Sequence, residues 1–326
     1  MANIRVAVVY GGRSGEHEIS VRSAKSIIAA LDPATYDVVE YFISKDGKWE
    51  GGRMIVPEPG GNPGIDVVFP VLHGTFGEDG TMQGLLELAD IAYVGPGVLA
   101  SSVAMDKEVF KRVMRASGLP VVESVTLYRE SVEGAAIDLP FPVFVKPANL
   151  GSSVGISKAK NEQELRVALF EAAKYDHKIV VERGIVGREF ECSVMGNAAA
   201  LAATPCEVLP SREFYDYEDK YLLDKAVIEL PAKISPELTA EIQRLAVLAY
   251  QACECEGMSR VDFLQEASTG QLYINEINTI PGFTSISMFP KMWAHAGVGY
   301  ADLLDRIIGY ALERHARKKA TRYTKE

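Results

Sequence analysis

Two short segments near the C-terminus alternate polar and apolar residues, and they constrain the fold more than any other feature of the sequence. Arg260 and Asp262 flank a valine, and Glu276 and Asn278 flank an isoleucine. Because side chains of a β-strand alternate between its two faces, each polar pair shares one face. Residues 267–270, Ala-Ser-Thr-Gly, predict a turn between two antiparallel strands. A hairpin centred on that turn places Asp262 opposite Glu276 and Arg260 opposite Asn278.

The polar face of this hairpin has the ligand chemistry of a metal site. Two carboxylates and one amide oxygen converge on it, with a guanidinium at the edge. Hard oxygen ligands of this kind suit Mg²⁺ or Mn²⁺, usually shared with nucleotide phosphates. The alternative is a solvated strand face on which the charges pair by chance.

Composition describes an ordinary globular protein of 326 residues with a net charge of −10. The negative charge argues against non-specific binding to nucleic acid or to anionic membranes. The N-terminus enters a predicted strand at once without a signal-peptide layout, and no apolar run approaches a membrane span. We therefore expect a cytoplasmic protein. Four cysteines without metal or redox spacing are expected to be buried free thiols: Cys192, Cys206, Cys253 and Cys255.

The first hundred residues alternate strand and helix patterns, which predicts a parallel sheet with helices on both faces. The predicted strands cover residues 4–9, 38–43, 66–72 and 91–94, and the predicted helices cover 19–31 and 81–89. Ligands of such sheets collect at the carboxyl ends of the strands, where Gly11-Gly12 and His73-Gly74 fall. The glycines after the first strand lack the G-x-G-x-x-G pattern, so a dinucleotide site of the Rossmann type is disfavoured.

A domain boundary is expected near residues 100–106, followed by a small α+β domain and a more extended C-terminal part. The predicted elements are helices at 106–117, 162–173, 236–255 and 300–318, strands at 141–146 and 179–182, and the hairpin at 260–278. The fold class is therefore α/β with α+β character.

Candidate phosphate ligands lie in the middle of the chain. Lys146 ends an apolar strand, and the glycine loop at residues 151–155 follows five residues later. Small residues let backbone N–H groups approach phosphate, and the hydroxyls of Ser152 and Ser153 add donors. Lys107, at a predicted helix start, is a second cationic candidate. The sequence does not match the Walker A pattern, and an ordinary turn is the alternative interpretation.

Several acids and one histidine are further candidates. Glu182 and Glu189 can accept hydrogen bonds from adenine and ribose, although a surface salt bridge is the alternative. Glu16, exposed by a glycine turn, can pair with a substrate ammonium or can simply favour a helix start. His73 lies in a glycine-rich turn, where a structural histidine is the more common role. The aromatic and polar residues 214–221 predict a loop that closes over a nucleotide, or else a packed surface loop.

Together these residues resemble the ATP-grasp superfamily, and closely the D-alanine–D-alanine ligase family. The resemblance spans essentially the whole chain. It rests on His73-Gly74-x-x-Gly77-Glu78-Asp79-Gly80 and on Arg260-x-Asp262 followed by Glu276-x-Asn278-x-x-Pro281-Gly282.

The resemblance implies an ATP-grasp fold of three domains. Residues 1–105 would form an N-terminal α/β domain with a parallel sheet and the first substrate site. Residues 106–188 would form the central ATP-grasp subdomain. Residues 189–326 would form the C-terminal domain, with an ω-loop at about 210–225 and the metal hairpin.

The resemblance also implies how ATP and metal are held. Two Mg²⁺ or Mn²⁺ ions per site would be coordinated by Asp262, Glu276 and Asn278. The residues that would contact ATP are Lys107, Lys146, Ser152, Ser153, Glu182, Glu189 and Lys220.

The implied reaction joins two D-alanines through an acyl phosphate, with release of ADP and phosphate, for peptidoglycan precursors. Glu16 would bind the first ammonium, and Arg260 with the Gly282 N–H would stabilise the oxyanion. The second carboxylate would meet Lys220, Ser287 and Met288, a position where the family typically has leucine. His73 is a further substrate-side residue, and Glu16, Ser152 and Tyr221 would form a hydrogen-bonded triad.

The family resemblance further implies a homodimer. Tyr221 and Lys220 argue against a relative that uses D-lactate as acceptor. A non-catalytic nucleotide-binding protein is disfavoured because neither a metal ligand nor Arg260 is lost. A nicotinamide-dependent dehydrogenase fits the opening strand only loosely.

Overall fold

The computed structural model describes residues 2–151, 154–209, 227–284 and 286–323. Its strands are β1 (Ile4–Gly11), β2 (Tyr36–Ile43), β3 (Val67–Val71), β4 (Ala92–Tyr93), β5 (Ser124–Tyr128), β6 (Val143–Pro147), β7 (Ser157–Ala159), β8 (Lys178–Arg183), β9 (Gly187–Gly196), β10 (Leu201–Ala202), β11 (Cys206–Leu209), β12 (Val227–Glu229), β13 (Gly257–Glu266) and β14 (Leu272–Asn278). Its helices are α1 (His17–Ala30), α2 (Thr81–Leu88), α3 (Val98–Met105), α4 (Lys107–Ala116), α5 (Glu162–Tyr175), α6 (Pro236–Ala252), α7 (Met288–His295) and α8 (Tyr300–Lys319), with a short 3₁₀ turn at Arg129–Ser131.

The first sheet is parallel, as the sequence predicts, and the order of its strands is β2-β1-β3-β4. Strand β1 is buried on both sides because its alternate residues enter different cores. Val6 and Val8 pack into a core shared with α8, whereas Ala7 and Val9 pack with α2. A continuous apolar run is what a strand covered on both faces requires.

The second sheet carries the residues expected to hold the nucleotide. Its order is β5-β8-β6-β7, and the pairs between neighbours are antiparallel. Helix α5 covers one face through Leu165, Leu169 and Ala172. The helix begins where the Asn161 side chain accepts a hydrogen bond from the Glu164 N–H at 3.0 Å, a favourable N-cap.

The third sheet is antiparallel and positions the predicted hairpin. Its order is β12-β11-β9-β13-β14, with β10 paired to β9. Val261 and Phe263 of β13 face a core that also contains residues of α6. Arg260 and Asp262 therefore point to the opposite face, because strand side chains alternate.

The predicted hairpin register is confirmed. Arg260 pairs with Asn278 and Asp262 pairs with Glu276, with an irregularity directly after Asp262. Gly270 closes the turn with φ 72°, and its N–H donates to the Glu266 carbonyl at 2.8 Å. A positive φ favours glycine at this position.

Most other predicted elements agree within a few residues, but the prediction contained neither β5 nor β7. The helix predicted at 236–255 ends at Ala252. The prediction missed α3 and α7 altogether.

The four cysteines are buried and free, as expected. None of the helices in the described ranges has the length and apolarity needed to cross a membrane. The three domain ranges stay a prediction.

Helix α8 ties the end of the chain to the first sheet. The Arg314 side chain is buried, and its guanidinium donates to the carbonyls of Tyr93, at 2.8 Å, and Gly95. It also lies over the Tyr93 ring, 4.2 Å from the centroid. A buried cation that saturates two carbonyls is costly to remove, since both acceptors lose their partner.

Arg314→Met is expected to lower the free energy of unfolding by about 2–4 kcal/mol, because two buried carbonyls lose a charged donor. Chemical denaturation measures this change. Arg306→Met is the matched control on the same helix, since its pair with Asp302 is solvent-exposed. The control should change stability by less than about 1 kcal/mol. Equal effects of the two substitutions would contradict the anchoring role.

Candidate active site

A cavity of about 780 Å³ lies where the three sheets approach one another. Its wall contains ten of the residues singled out by the sequence or by the family motifs. They are Glu16, His73, Glu78, Lys107, Arg260, Glu276, Asn278, Gly282, Ser287 and Met288. Residues from the start, the middle and the end of the chain thus share one site.

Arg260 is the central cation of the hairpin face. Its Nε and Nη2 donate to Oδ1 and Oδ2 of Asp262, each at 2.7 Å. Its Nε also lies 3.3 Å from Oε2 of the buried Glu191. Burial alone would lower the pKa of Arg260, but the charges of Asp262 and Glu191 outweigh it and hold the pKa well above its usual range. The guanidinium is therefore permanently charged.

The donor set on the hairpin face fits a hard divalent cation. Asp262 and Glu276 supply carboxylates from paired positions, and Asn278 supplies an amide oxygen. Asp262 also accepts a hydrogen bond from Asn278 Nδ2 at 3.0 Å, so a cation would compete with Arg260 and Asn278 for its oxygens. Within the described ranges, no cluster of three or more His, Cys, Asp or Glu side chains is arranged around a metal position.

His73 links the first sheet to the segment after β14. Its Nδ1 contacts the Ile280 carbonyl at 2.9 Å, and its Nε2 contacts Ser23 Oγ at 3.2 Å. Burial lowers the pKa of His73, which favours the neutral ring. A neutral ring that donates from Nδ1 accepts at Nε2, so both nitrogens are used within the protein.

Glu78 is the second acid beside Glu16 in the cavity wall. Its carboxylate accepts hydrogen bonds from the Gly74 N–H at 2.7 Å and the Ile280 N–H at 2.9 Å. Burial, followed by the charge of Glu16, raises the pKa of Glu78 to about 8. The two N–H donors oppose that rise without cancelling it.

Glu16 occupies a narrow space between two glycines. A Cβ on Gly74 would lie 2.5 Å from Glu16 Oε2, and a Cβ on Gly151 would lie 3.2 Å from the same oxygen. The turn before α1 therefore reaches the glycine loop of the second sheet. This contact places Glu16 between the predicted substrate side and the predicted phosphate side.

The nucleotide side contains a buried ion-pair cluster. Lys146 Nζ lies 2.7 Å from Glu182 Oε2, and Lys111 Nζ lies 3.2 Å from Glu182 Oε1. Lys107 Nζ donates to the Leu150 carbonyl at 2.5 Å. Glu189 lies on β9, two residues before Glu191. The structure thus brings together Lys111, Lys146 and Glu182, whereas Lys107 binds the loop after β6.

The segment after β14 leads into the N-terminus of α7. Ser287 occupies the N-cap position, and its Oγ accepts a hydrogen bond from the Thr284 N–H at 3.0 Å. Met288 is the first helical residue, so its N–H belongs to the group that has no intrahelical acceptor. A Cβ on Gly282 would lie 2.8 Å from Ser287 Oγ, which explains the glycine.

Four predicted site residues and the predicted ω-loop lie outside the described residues. These residues are Ser152, Ser153, Lys220 and Tyr221. Their assignments stay predictions.

Sequence reasoning missed two buried site residues. Lys111 follows Lys107 by one helical turn, and this i, i+4 spacing was the available signal. Glu191 follows Glu189 by two residues on β9, so the two acids share a strand face. Glu78 was noticed as part of a motif but received no role of its own.

The raised pKa of Glu78 predicts a particular pH dependence of stability. The native state keeps a proton that the unfolded chain releases above the ordinary pKa of 4.5, so the contribution of Glu78 falls as pH rises from 4.5 to about 8. Glu78→Gln removes this titration. The unfolding free energy of the variant relative to wild type should therefore rise across that range, by up to about 1.4 kcal/mol per pH unit.

Denaturant unfolding at about pH 5, 6.5 and 8 measures this difference. Glu241→Gln, on the exposed face of α6, is the control and should show a constant difference. A constant difference for Glu78→Gln as well would contradict the raised pKa.

Family models match nearly the whole chain. The model described as D-ala D-ala ligase N-terminus matches residues 5–60 and 56–96. The model described as D-ala D-ala ligase C-terminus matches residues 113–309. The chain is 64% identical over 324 residues to a D-alanine–D-alanine ligase of Solibacter usitatus, covering 99% of both proteins. It is 42% identical over 364 aligned positions to D-alanine–D-alanine ligase A of Escherichia coli, covering 99% of this chain and 100% of the other.

Solved structures agree with these sequence matches. The D-alanine-D-alanine ligase from Coxiella burnetii superposes with a TM-score of 0.86 at 37% identity, covering 98% of this chain and 97% of the other. The VanG D-Ala:D-Ser ligase from Enterococcus faecalis superposes with a TM-score of 0.85 at 34% identity, covering 95% and 100%. Structural neighbours of this kind have the ATP-grasp fold. The chain belongs to the D-alanine–D-alanine ligase family.

Proposed function

We propose that the chain joins two D-alanines to D-alanyl-D-alanine at the expense of ATP, for peptidoglycan precursor synthesis. The reaction passes through an acyl phosphate and releases ADP and phosphate. The observation that carries this assignment is the cavity in which Arg260, Glu276 and Asn278 face Glu16 and Lys107. A permanent cation, hard oxygen donors and an acid for an ammonium are what the two chemical steps require.

In the first step the carboxylate of one D-alanine attacks the γ-phosphate of ATP. Glu16 holds the ammonium of that substrate, and Lys107 and Lys146 offset the phosphate charge. Asp262, Glu276 and Asn278 would hold the divalent cations, which supply Lewis-acid stabilisation of the phosphates when bound. Glu182 and Glu189 accept hydrogen bonds from the nucleoside.

In the second step the amine of the other D-alanine attacks the acyl carbon. Arg260 and the Gly282 N–H donate hydrogen bonds to the oxyanion that develops there. Because the protein holds both donors, stabilising the oxyanion requires little reorganisation. Ser287 and the Met288 N–H bind the second carboxylate at the start of α7, where the helix dipole favours an anion. Lys220 completes this subsite in our proposal.

The acceptor differs among similar ligases, since the VanG enzyme is a D-Ala:D-Ser ligase. We assign D-alanine because of Lys220 and Tyr221, and the proposal includes the triad of Tyr221, Glu16 and Ser152 that the family resemblance implies. His73 supports the substrate side through its bonds to Ile280 and Ser23.

The proposal also covers the metal ions, the oligomeric state and the cellular location of the protein. We infer two Mg²⁺ or Mn²⁺ ions per active site, a homodimer and a cytoplasmic location. The net charge of −10 supports neither nucleic acid nor an anionic membrane as a partner.

The assignment is tested by ADP release with Mg-ATP and D-alanine, with the product identified by mass spectrometry. Parallel reactions contain D-alanine together with D-lactate or D-serine. We expect D-alanyl-D-alanine as the main product in each case. A depsipeptide or a D-serine dipeptide as the main product would keep the ligase chemistry and overturn the acceptor. ADP release without any ligated product would overturn the proposed function.

Glu276→Gln should lower kcat/KM by more than about 100-fold, because an amide replaces a carboxylate donor of the cation. Steady-state ADP release measures the loss, and circular dichroism checks the fold. Glu241→Gln, an exposed acid paired with Arg244, should stay within about twofold of wild type. Near-normal turnover of a folded Glu276→Gln protein would remove Glu276 from the metal site.

A further inference from the structure

The cluster around Glu182 contains one cation that the proposed reaction does not use. Lys107 and Lys111 are four residues apart on α4, so both reach the nucleotide side from one helix face. Lys107 meets the loop after β6, whereas Lys111 meets the Glu182 carboxylate on β8. Lys146, on the neighbouring strand β6, takes the other carboxylate oxygen. One carboxylate thus bridges two ammonium groups.

The charges of this cluster do not cancel. The Glu182 and Lys111 side chains are 4% and 1% exposed, so water does little to screen them. Burial would raise the pKa of Glu182, but Lys111 and Lys146 outweigh it and lower the pKa to about 2. Burial lowers the pKa of Lys111, and the charge of Glu182 opposes that shift. Glu182 is therefore an anion that pairs with two lysines. The unbalanced positive charge suits an arriving phosphate.

The two lysine side chains that pair with Glu182 differ in their exposure. The Lys146 side chain is 12% exposed and lies near the end of β6, four residues before Leu150, whose carbonyl accepts from Lys107. Burial would lower the pKa of Lys146, but the charges of Glu182, Glu276 and Glu189 outweigh it and raise the pKa. The Lys111 side chain on α4 is only 1% exposed. Of the two lysines that pair with Glu182, Lys146 is therefore the more accessible.

We propose that Lys111 is a positioning residue for ATP: it remains the permanent counter-ion of Glu182, so that Lys146 can transfer to a phosphate without leaving a buried carboxylate unpaired. This inference rests on the proposed function only in taking Lys146 as a phosphate ligand. Without Lys111, movement of Lys146 would leave the buried Glu182 carboxylate without a counter-ion. Because that is costly, Lys146 would remain paired with Glu182. Phosphate binding then weakens although Lys111 never touches the nucleotide.

The test is a double-mutant cycle on ADP affinity, measured by isothermal titration calorimetry with MgCl₂ present. Lys111→Met should weaken ADP binding about 10-fold in the wild-type background. In the Glu182→Gln background the same substitution should change affinity by less than about twofold, since no buried carboxylate remains for Lys111 to neutralise when Lys146 moves. Lys174→Met, which breaks an exposed pair with Glu171, is the matched control and should leave affinity unchanged.

A purely structural role of Lys111 would weaken ADP binding by the same factor in both backgrounds, and that result would overturn the proposal. Unchanged affinity in a folded Lys111→Met protein would overturn it as well. If Lys111→Met does not fold, Lys111→Gln keeps a hydrogen-bond donor for Glu182 and should show the same background-dependent loss. The wild-type product assay is independent of this cycle, so failure of the ligase assignment and failure of the Lys111 role give different results.

Discussion

Antiparallel pairing of β13 with β14 in one register places Arg260 beside Asn278 and Asp262 beside Glu276. Strand β13 is central, so β9 fixes the same register from its other edge, where Asp262 pairs with Glu191. A slip of one residue would turn Val261 into the cavity and carry charged side chains into the core under α6. The packing of Val261 and Phe263 therefore secures the chemistry on the opposite face.

The hairpin was predictable because its determinants are local. Two-residue alternation and a glycine turn suffice to place Asp262 opposite Glu276. The parallel first sheet was predictable from the alternation of strand and helix patterns in the first hundred residues. Helix α3 was not predictable in this way, since the run Val98–Met105 is small and apolar all round. The pair between Lys111 and Glu182 was equally hidden, because residues far apart in sequence meet only through packing of α4 against the second sheet.

The cavity separates charges by function. Glu16 and Glu78 lie on the side of the first sheet, where a raised pKa of Glu78 moderates the negative charge. The ammonium groups of Lys107, Lys111 and Lys146 lie on the side of the second sheet. Of these lysines, Lys107 lines the cavity together with Glu16 and Glu78, and the hairpin of the third sheet contributes Arg260, Glu276 and Asn278 to the same wall. A zwitterionic amino acid and a polyanion find complementary walls there.

The bonds of the segment after β14 have a geometric consequence for catalysis. Ile280 is held by His73 and Glu78, and Phe283 is held by Ser23 and Tyr300. The segment proposed to bind the second amino acid is therefore hydrogen-bonded to the first sheet and its helices, where the first amino acid is proposed to bind. Movement of the second sheet would change the distance from the phosphates to both amino acids together, while the spacing between the two amino acids stays fixed. In this arrangement the first sheet and the segment after β14 set the distance between the two amino acids. The second sheet sets the distance from the phosphate to both of them.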